Sequence, residues 1–274
     1  MNAFDIVGVA GDWHGNTGWA GIAINRFAEL GVKHILQLGD FGFWPGNNGQ
    51  KYLYKTNKRL AANEQLLYVT LGNHEDYVQV SALQPHPHFP GWRYNKQYPN
   101  ILVAERGTRW TWNDRSFVSL GGANSIDKQG RIENLNWWKA ESITLQNVFD
   151  TVQGGHADIM LAHDSPTGVD LFGSHRVDND MWFSSEIAYA NESRAMMRQA
   201  VDGVKPDLFM HGHYHVHADK TSYLHDGVEG YTLHSIGLDM DGSYNNLALL
   251  ELSSLDVEII PMSWTAVKDH YVGR

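Results

Sequence analysis

The chain has 274 residues, with 21 Lys and Arg against 31 Asp and Glu, and it contains no cysteine. The formal charge of −10, without a long block of one sign, argues against a basic face for long duplex nucleic acid. No apolar run approaches the ~20 residues that span a bilayer, and the N-terminus lacks the basic segment of a secretory signal. We therefore expect a cytoplasmic protein without membrane association, folded as one domain over residues 1–274.

The first eighty residues alternate between short apolar runs and segments with apolar residues at helical spacing. The runs predict strands at 4–10, 32–38 and 66–71, and the segments between them predict helices at 19–30 and 52–63. This alternation predicts parallel strands joined by right-handed crossovers. In such a sheet the ligand site lies beyond the carboxyl ends of the strands.

The pattern becomes richer in short strands after about residue 80. Three prolines predict an irregular segment at 84–90, and three short strands of a second sheet are predicted at 101–104, 108–112 and 116–120. Further helices are predicted at 144–153 and 184–201, and further strands at 158–162, 207–210, 231–236, 246–252 and 257–260. The whole pattern favours one α/β domain with two sheets.

Five short clusters of Asp, Asn and His lie on or beside glycine, and several directly follow a predicted strand. They are Gly11-Asp12-Trp13-His14, Gly39-Asp40, Gly72-Asn73-His74-Glu75, Ala162-His163-Asp164 and Gly212-His213-Tyr214-His215. Aspartate, histidine and one asparagine are ligands of a borderline divalent metal such as Mn, Fe or Zn, whereas a thiolate site is excluded by the absence of cysteine. Seven candidate ligands and one further histidine are too many for one ion, so the sequence predicts two ions.

The order of these clusters resembles the calcineurin-like metallophosphoesterases, whose pattern is D-x-H, G-D, G-N-H-[DE], H and G-H-x-H. All five elements are present in that order between Asp12 and His215. The resemblance implies a fold of the α/β (α+β) class, a four-layer αββα sandwich with two mixed β-sheets flanked by helices. It also implies two divalent metal ions as cofactors, with Mn the first expectation and Fe, Zn or Ni as alternatives.

The resemblance also implies a role for each residue of the clusters. Asp40 matches the carboxylate that bridges the two ions. The first ion would be bound by Asp12, His14 and His215, and the second by Asn73, His163 and His213. His74 matches the catalytic histidine, which acts on the phosphate or as general acid for the leaving alkoxide. From the residues alone, a turn role for Asn73 and a loop-supporting role for His74 remain open.

The orienting partner of His74 is also left open by the sequence. The acidic neighbours Glu75 and Asp76 are candidates, and so is Asp164 of the fourth cluster. The residues give no basis for choosing among these three carboxylates.

One segment departs from the phosphatases of this superfamily, which resemble G-D-x-[VY]-D-R-G at the second cluster. Here residues 39–46 contain neither an arginine nor a carboxylate after Asp40, so the usual phosphate clamp is in doubt. Arg93, Arg131 and Arg176 are candidate replacements. Aromatic residues cluster instead at the strand ends, where they either stack on a base or pack as core and wall. They are Trp13, Phe41, Phe43 and Trp44, with Trp137 and Trp138 further along. The predicted substrate contacts are Trp13, Phe41, Trp44 and Arg131.

We predict a metal-dependent phosphoric ester hydrolase, most consistent with a phosphodiesterase on small nucleotide-type diesters such as 2′,3′-cyclic nucleotides, acting by attack of metal-bound hydroxide. Compact bacterial and phage proteins that are similar to this chain often hydrolyse such esters and aryl diesters. The alternatives are a broad-specificity phosphomonoesterase, a protein phosphatase, or a metal-free protein-interaction scaffold. The expected partner is a small phosphoester, not duplex nucleic acid or a membrane, and the oligomeric state is left open.

Overall fold

The computed structural model of the protein describes residues 5–172 and 182–263. Two β-sheets pack face to face and are flanked by helices, which confirms the predicted αββα fold class. The helices are α1 (Thr17–Glu29), α2 (Gly46–Ala62), α3 (Tyr77–Ser81), α4 (Leu145–Val152) and α5 (Ser184–Val204), with 3₁₀ turns at Lys128–Gly130 and Lys139–Glu141.

Fourteen strands in the described residues form the two sheets. In chain order they are β1 (Ile6–Ala10), β2 (His34–Gln37), β3 (Leu66–Val69), β4 (Gln84–Pro85), β5 (Trp92–Tyr94), β6 (Ile101–Ala104), β7 (Thr108–Trp112), β8 (Arg115–Leu120), β9 (Ile159–Ala162), β10 (Leu208–His211), β11 (Ala218–His225), β12 (Gly230–Gly237), β13 (Leu247–Glu251) and β14 (Val257–Ile260). The first sheet has the order β14-β13-β1-β2-β3-β6-β5-β4, and the second has the order β11-β12-β10-β9-β8-β7.

The parallel centre of the first sheet agrees with the prediction from the sequence. β1 pairs parallel with β2, with Gly8 opposite Ile35, and β2 pairs parallel with β3, with Ile35 opposite Leu67. The crossover helix α1 begins where the Asn16 side chain accepts the backbone N–H of Trp19, an N-cap that satisfies a free donor of the first turn. Helix α2 begins at Gly46, six residues before the predicted start. The prediction missed this start because the first turns of the helix are polar and carry no apolar periodicity.

The assignment of the short strands after residue 100 is partly wrong. The strand at 101–104 was expected in the second sheet, but β6 pairs parallel with β3 in the first sheet, with Leu67 opposite Ile101. All four of its residues are buried, so both of its faces require covering, and the interior of the first sheet provides this. Strand β11 was missed because it lies at the sheet edge with only two of its eight residues buried, and its sequence contains no apolar run.

Three apolar layers hold the sandwich together, and the alternation of side chains along each strand distributes residues between them. In β2, Ile35 packs under helices α1 and α2, whereas Leu36 lies between the two sheets. In β9, Leu161 lies between the sheets and Met160 packs under helices α4 and α5. The structure contains no helix within 5–172 and 182–263 that is long and apolar enough to cross a bilayer.

The parallel strands of both sheets end at one edge of the sandwich. In the first sheet β1, β2 and β3 run parallel, and in the second sheet β9 runs parallel to β10. Each of these five strands is followed within four residues by one of the five polar clusters. The fold therefore gathers residues that are up to two hundred positions apart in sequence at this edge.

Candidate metal centre

The first ligand group consists of Asp12, His14 and His215, whose potential ligand atoms lie within 4.8 Å of one another. Nε2 of His215 is 3.2 Å from Oδ2 of Asp12, and Nε2 of His14 is 3.9 Å from the same oxygen. Asp12 is completely buried, so its charge requires a compensating partner. Imidazole and carboxylate donors at these separations are those of a transition-metal site.

The second ligand group consists of Asp40, His163 and His213, again with ligand atoms within 4.8 Å of one another, together with Asn73. Nε2 of His163 is 3.3 Å from Oδ1 of Asp40 and 2.9 Å from Oδ1 of Asn73. The amide oxygen of Asn73 therefore faces the same space as the histidine nitrogen.

Asp40 lies between the two groups. Its Oδ2 is 3.6 Å from Nε2 of His14, whereas its Oδ1 is 3.3 Å from Nε2 of His163. One carboxylate oxygen thus faces the first group and the other faces the second group, an arrangement that suits a carboxylate shared by a metal pair. All seven ligands predicted from the sequence are brought together in the structure.

Hydrogen bonds fix which nitrogen of two histidines faces the centre. Nδ1 of His163 is 2.7 Å from the carbonyl oxygen of Leu38, and Nδ1 of His14 is 2.9 Å from Oδ1 of Asp241. Because a carbonyl or carboxylate oxygen only accepts, each Nδ1 donates and each Nε2 is directed into the site. Asp241 also accepts a hydrogen bond of 2.7 Å from Nδ2 of Asn16, which fixes the carboxylate itself.

The electrostatics of the centre favour a cation. Burial would lower the pKa of His163, but the carboxylates of Asp40 and Asp12 outweigh it and raise that pKa to about 9. Burial would likewise raise the pKa of Asp40, yet His163 and His74 hold it well below its ordinary value. Desolvation lowers the pKa of His213 to about 4, which keeps its lone pair free at neutral pH. The residues therefore fit divalent metal ions.

Backbone strain is concentrated at the same residues. His14, Asp40, His213 and His215 adopt φ values of 44°, 49°, 72° and 52°, a region that costs about 1–3 kcal/mol for a residue with a side chain. The backbone N–H of His14 donates to the carbonyl of Asp40 over 2.7 Å, and that of His213 donates to Oδ1 of Asp12 over 3.1 Å. These bonds between clusters hold the strained residues in place.

Two glycines of the motifs are required by close approach of the clusters. A Cβ atom at Gly72 would lie 2.1 Å from the backbone nitrogen of Asp40, and one at Gly212 would lie 2.2 Å from Oδ1 of Asp12. Any side chain at either position would collide with a candidate ligand of another sequence cluster. The glycine before Asn73 and the glycine before His213 therefore set the packing distance between clusters.

His74 borders the centre without belonging to either ligand group. Its Nε2 is 3.8 Å from Oδ2 of Asp40 and 3.3 Å from Nη2 of Arg131, and its backbone N–H donates to Oδ1 of Asp40 over 2.9 Å. Arg131 is held in turn by Asp127, whose two oxygens each accept a guanidinium N–H over 2.6 Å. Burial lowers the pKa of His74; Asp40 opposes this effect and Arg131 adds to it.

The three carboxylates named as candidate partners of His74 are engaged elsewhere. Glu75 accepts backbone N–H groups from the loop after Asp40, over 2.7 Å from Phe41 and 2.8 Å from Phe43. Asp76 caps α3 through the backbone N–H of Val78. Asp164 accepts the hydroxyl of Tyr214 over 2.6 Å. Each acidic residue supports the loops that carry the site, and the neighbour of Nε2 is Arg131.

A cleft of about 550 Å³ opens beside the two ligand groups. Its walls combine aromatic, amide and cationic side chains, namely His14, Trp44, Pro45, Asn48, His74, Arg131, Leu135, Asn136 and Trp138. Trp44 is 39% exposed, so its ring offers a free face. Two of the four predicted substrate contacts, Trp44 and Arg131, therefore lie where a substrate bound at the centre would reach.

The other two predicted substrate contacts do not reach the cleft. Trp13 and Phe41 are 0% exposed and pack against each other in the core, with ring centroids 6.0 Å apart. A ring covered on both faces cannot stack on a base, so the stacking hypothesis is wrong for both. Of the other arginines considered, Arg93 pairs with Glu105 on the first sheet, and Arg176 lies outside the described residues.

Sequence reasoning missed several side chains that support the centre. Asp241 follows β12 at the site edge, and that position was the only indication available in the sequence. Ser125 and Glu141 belong to the long polar segment after β8, where no motif distinguishes them. Asp127, the partner of Arg131, lies in the same segment.

The family identity follows from comparison with known proteins. The calcineurin-like phosphoesterase family model matches residues 6–217, so the chain belongs to this family, whose members use two divalent metal ions. TT1561 of Thermus thermophilus is similar in fold, with a TM-score of 0.52 and 11% identity over 93% of this chain and 97% of that one. A dimetal phosphatase from Danio rerio has a TM-score of 0.53 and 13% identity over 95% and 99% of the two chains. Such low identities show the fold alone. A search of curated proteins gave no significant match.

Proposed function

We propose that the protein is a dinuclear phosphodiesterase that hydrolyses small nucleotide-type diesters such as 2′,3′-cyclic nucleotides. The observation that carries this proposal is the aromatic-walled cleft that opens directly beside Asp40 and His74. A substrate phosphate at the two ligand groups would place its base or aryl substituent in this cleft, against the free face of Trp44.

The seven candidate ligands would hold two ions. Asp12, His14 and His215 would bind the first ion, Asn73, His163 and His213 would bind the second, and Asp40 would be shared by both. When bound, such an ion pair activates water as a nucleophile and offsets charge on the phosphate oxygens. The strained and cross-linked backbone keeps the ligands fixed before an ion enters, which lowers the reorganisation that binding requires.

His74 supplies the proton that the departing oxygen needs. Its ring lines the cleft, with Nε2 3.8 Å from the bridging carboxylate. Burial keeps its pKa below the ordinary value when the cleft contains no anion. A phosphate anion beside the ring would favour the imidazolium, so the proton becomes available when the substrate is present.

The pairing of Arg131 bears on the preference for a diester. The sequence left the phosphate clamp in doubt, with Arg131 among the candidate replacements, and the structure brings Arg131 to His74. Its guanidinium forms a two-pronged ion pair with Asp127, so part of its positive charge is already compensated. A diester with one negative charge needs less compensation than a monoester dianion, and this pairing therefore favours the diester.

The test compares kcat/KM for bis-p-nitrophenyl phosphate and p-nitrophenyl phosphate at one pH with saturating Mn²⁺. A diester advantage is expected, followed by a preference for 2′,3′-cyclic over 3′,5′-cyclic nucleotides. A monoester advantage of about tenfold, or ~1.4 kcal/mol in transition-state binding, would overturn the proposal. It would favour a phosphomonoesterase, for which Arg131 at the site provides a specific argument.

Manganese as the bound metal and a location in the cytoplasm remain predictions from the sequence. The scaffold alternative requires that the centre binds no metal, and elemental analysis of the purified protein distinguishes it from the enzyme. Retention of full hydrolytic activity in the presence of a strong chelator would contradict the metal-dependent mechanism.

A further inference from the structure

A buried carboxylate lies behind Asn73, outside both ligand groups. Glu141, in the 3₁₀ turn Lys139–Glu141, is 0% exposed and accepts hydrogen bonds from four donors. The donors are the backbone N–H of Ser125 (2.8 Å), the hydroxyl of Ser125 (2.6 Å), Nε1 of Trp137 (2.7 Å) and the hydroxyl of Tyr189 (3.1 Å). Burial raises the pKa of Glu141, and these hydrogen bonds oppose that effect. Three of these donors serve Oε1 and one serves Oε2, and because an ionised carboxylate can accept all four, the hydrogen bonds favour the carboxylate form.

The carboxylate fixes the direction of the Ser125 hydroxyl. A serine hydroxyl has one proton to donate, and here that proton goes to Oε2 of Glu141. The Ser125 oxygen can therefore only accept from its other neighbour, which is Nδ2 of Asn73 at 2.9 Å. The donor and the acceptor of each hydrogen bond in the series from Glu141 through Ser125 to Asn73 are thus determined.

The same series of hydrogen bonds determines the orientation of the Asn73 amide. With its NH₂ group bound to Ser125, the amide must direct Oδ1 to the other side, where it lies 2.9 Å from Nε2 of His163. A flipped amide would present two N–H donors to the ion and lose the only ligand atom that the side chain offers. An aspartate would not need this control, because both of its oxygens accept.

We propose that Glu141 and Ser125 are positioning residues that hold the amide oxygen of Asn73 toward the second ion. Glu141 touches neither the ligand atoms nor the cleft; it acts through the single proton of Ser125. The inference rests on the proposed ligand role of Asn73 and is independent of the substrate assignment.

Glu141→Gln tests the proposal, because the new amide group changes which atoms donate and which accept in this series of hydrogen bonds. If its NH₂ faces Ser125, the serine hydroxyl turns to donate toward Asn73 and favours the flipped amide. If its NH₂ faces the other way, it opposes the three donors that serve Oε1 of Glu141. Calorimetric titration with Mn²⁺ should show the second ion weakened by about 10–100-fold, with the first unchanged, the usual effect of losing an outer hydrogen-bond partner.

A matched control removes a hydrogen bond from the same carboxylate without changing the hydrogen bonds that connect Glu141, Ser125 and Asn73. Tyr189→Phe deletes one of the three donors to Oε1 and leaves the contact between Ser125 and Glu141 intact. Both Mn²⁺ affinities should remain within about twofold of the wild type, well inside the 10–100-fold expected for Glu141→Gln. Ser125→Ala serves as a second test variant if Glu141→Gln unfolds, since it deletes the acceptor of Asn73 with a smaller change.

The decisive experiment is a double-mutant cycle with Asn73→Asp. In the Asn73→Asp background, Glu141→Gln or Ser125→Ala should no longer weaken the second ion, because a carboxylate needs no orientation. An equal loss in both backgrounds, or no loss from Glu141→Gln with Asn73 present, would overturn the positioning role. If Asn73→Ala leaves both Mn²⁺ affinities unchanged, then the ligand assignment of Asn73 itself is wrong, and the positioning proposal is overturned with it.

Discussion

The Nη2 atom of Arg131 lies 3.3 Å from Nε2 of His74, although the two residues are 57 positions apart in the chain. The contact brings a guanidinium to the candidate catalytic histidine from the polar segment after β8, and not from the segment after Asp40. Arg131 also donates to the carbonyl of Asn136 over 2.9 Å, so the cation is tied to the wall of the cleft.

Removal of Arg131 should weaken binding of the phosphate in the transition state. We expect Arg131→Ala to lower kcat/KM by about 10–100-fold, since a charged hydrogen bond contributes about 1.5–3 kcal/mol. The loss should be larger for p-nitrophenyl phosphate than for its diester, because the dianion depends more on the cation. Arg93→Ala is the matched control, since Arg93 pairs with Glu105 away from the cleft. Equal rates for Arg131→Ala and the wild type would show that the arginine only supports its loop.

His74 should contribute to turnover and not to metal content. We expect His74→Asn to keep two bound ions and to lower kcat by about 10²–10⁴-fold, the usual contribution of a general acid. The loss should shrink for p-nitrophenyl esters compared with alkyl esters, because a good leaving group departs without a proton. The measurement is kcat over a series of leaving groups. A loss of the same size for every leaving group would indicate that His74 positions the phosphate instead.

Two aromatic residues of the second cluster should behave differently on truncation. Phe41 is 0% exposed in the core, so Phe41→Ala should lower the free energy of unfolding by about 3–5 kcal/mol. Trp44 lies on the cleft with 39% of its surface exposed, so Trp44→Ala should change stability little and reduce kcat/KM for a nucleotide ester. Urea unfolding and steady-state kinetics measure the two effects. A stable, kinetically impaired Phe41→Ala would restore the substrate role that its burial excludes.

Asp158 should give the protein a pH-dependent stability that is independent of the metal centre. Burial would raise its pKa, but hydrogen bonds from Ser116 and Arg115 outweigh this and lower the pKa to about 2. A carboxyl with a lowered pKa stabilises the folded state above its unfolded value near 3.8, and the contribution disappears as the pH falls through 2.

The test uses urea unfolding in EDTA between pH 5 and pH 2 for the wild type and Asp158→Asn. At pH 5 the variant should be less stable by about 1 kcal/mol, a modest value because solvent screens a group that is only partly buried. The difference should narrow toward pH 2, where the wild-type carboxyl is also protonated. A difference that does not change with pH would mean that Asp158 acts through packing and not through its charge.

The sequence was sufficient to predict the parts of the fold that depend on local pattern. The parallel strands β1, β2 and β3 and the position of the clusters at their carboxyl ends follow from apolar runs that end at glycine. Which sheet a short buried strand joins was not predictable. The residues of β6 are apolar on both faces, and only the competition for pairing beside β3 decides the outcome.

The candidate site divides in the same way. The seven candidate ligands lie in short motifs, so they could be proposed from the sequence, and the structure brings them together. The residues that orient them, such as Asp241 behind His14 and Glu141 behind Asn73, lie in loops with no periodicity. The depth of an aromatic side chain was equally inaccessible: Trp13 and Trp44 both follow a strand, yet one is core and the other is cleft wall.

The central claim is that Asp40 bridges two ions, one oxygen facing each ligand group. The most direct measurement is the number of Mn²⁺ ions per chain, by elemental analysis after equilibration with Mn²⁺, for the wild type, Asp40→Asn, His14→Ala and His163→Ala. The account predicts two ions in the wild type, reduced occupancy of both in Asp40→Asn, and selective loss of one ion in each histidine variant. A single ion in the wild type, or an Asp40→Asn variant that retains both at wild-type affinity, would contradict it.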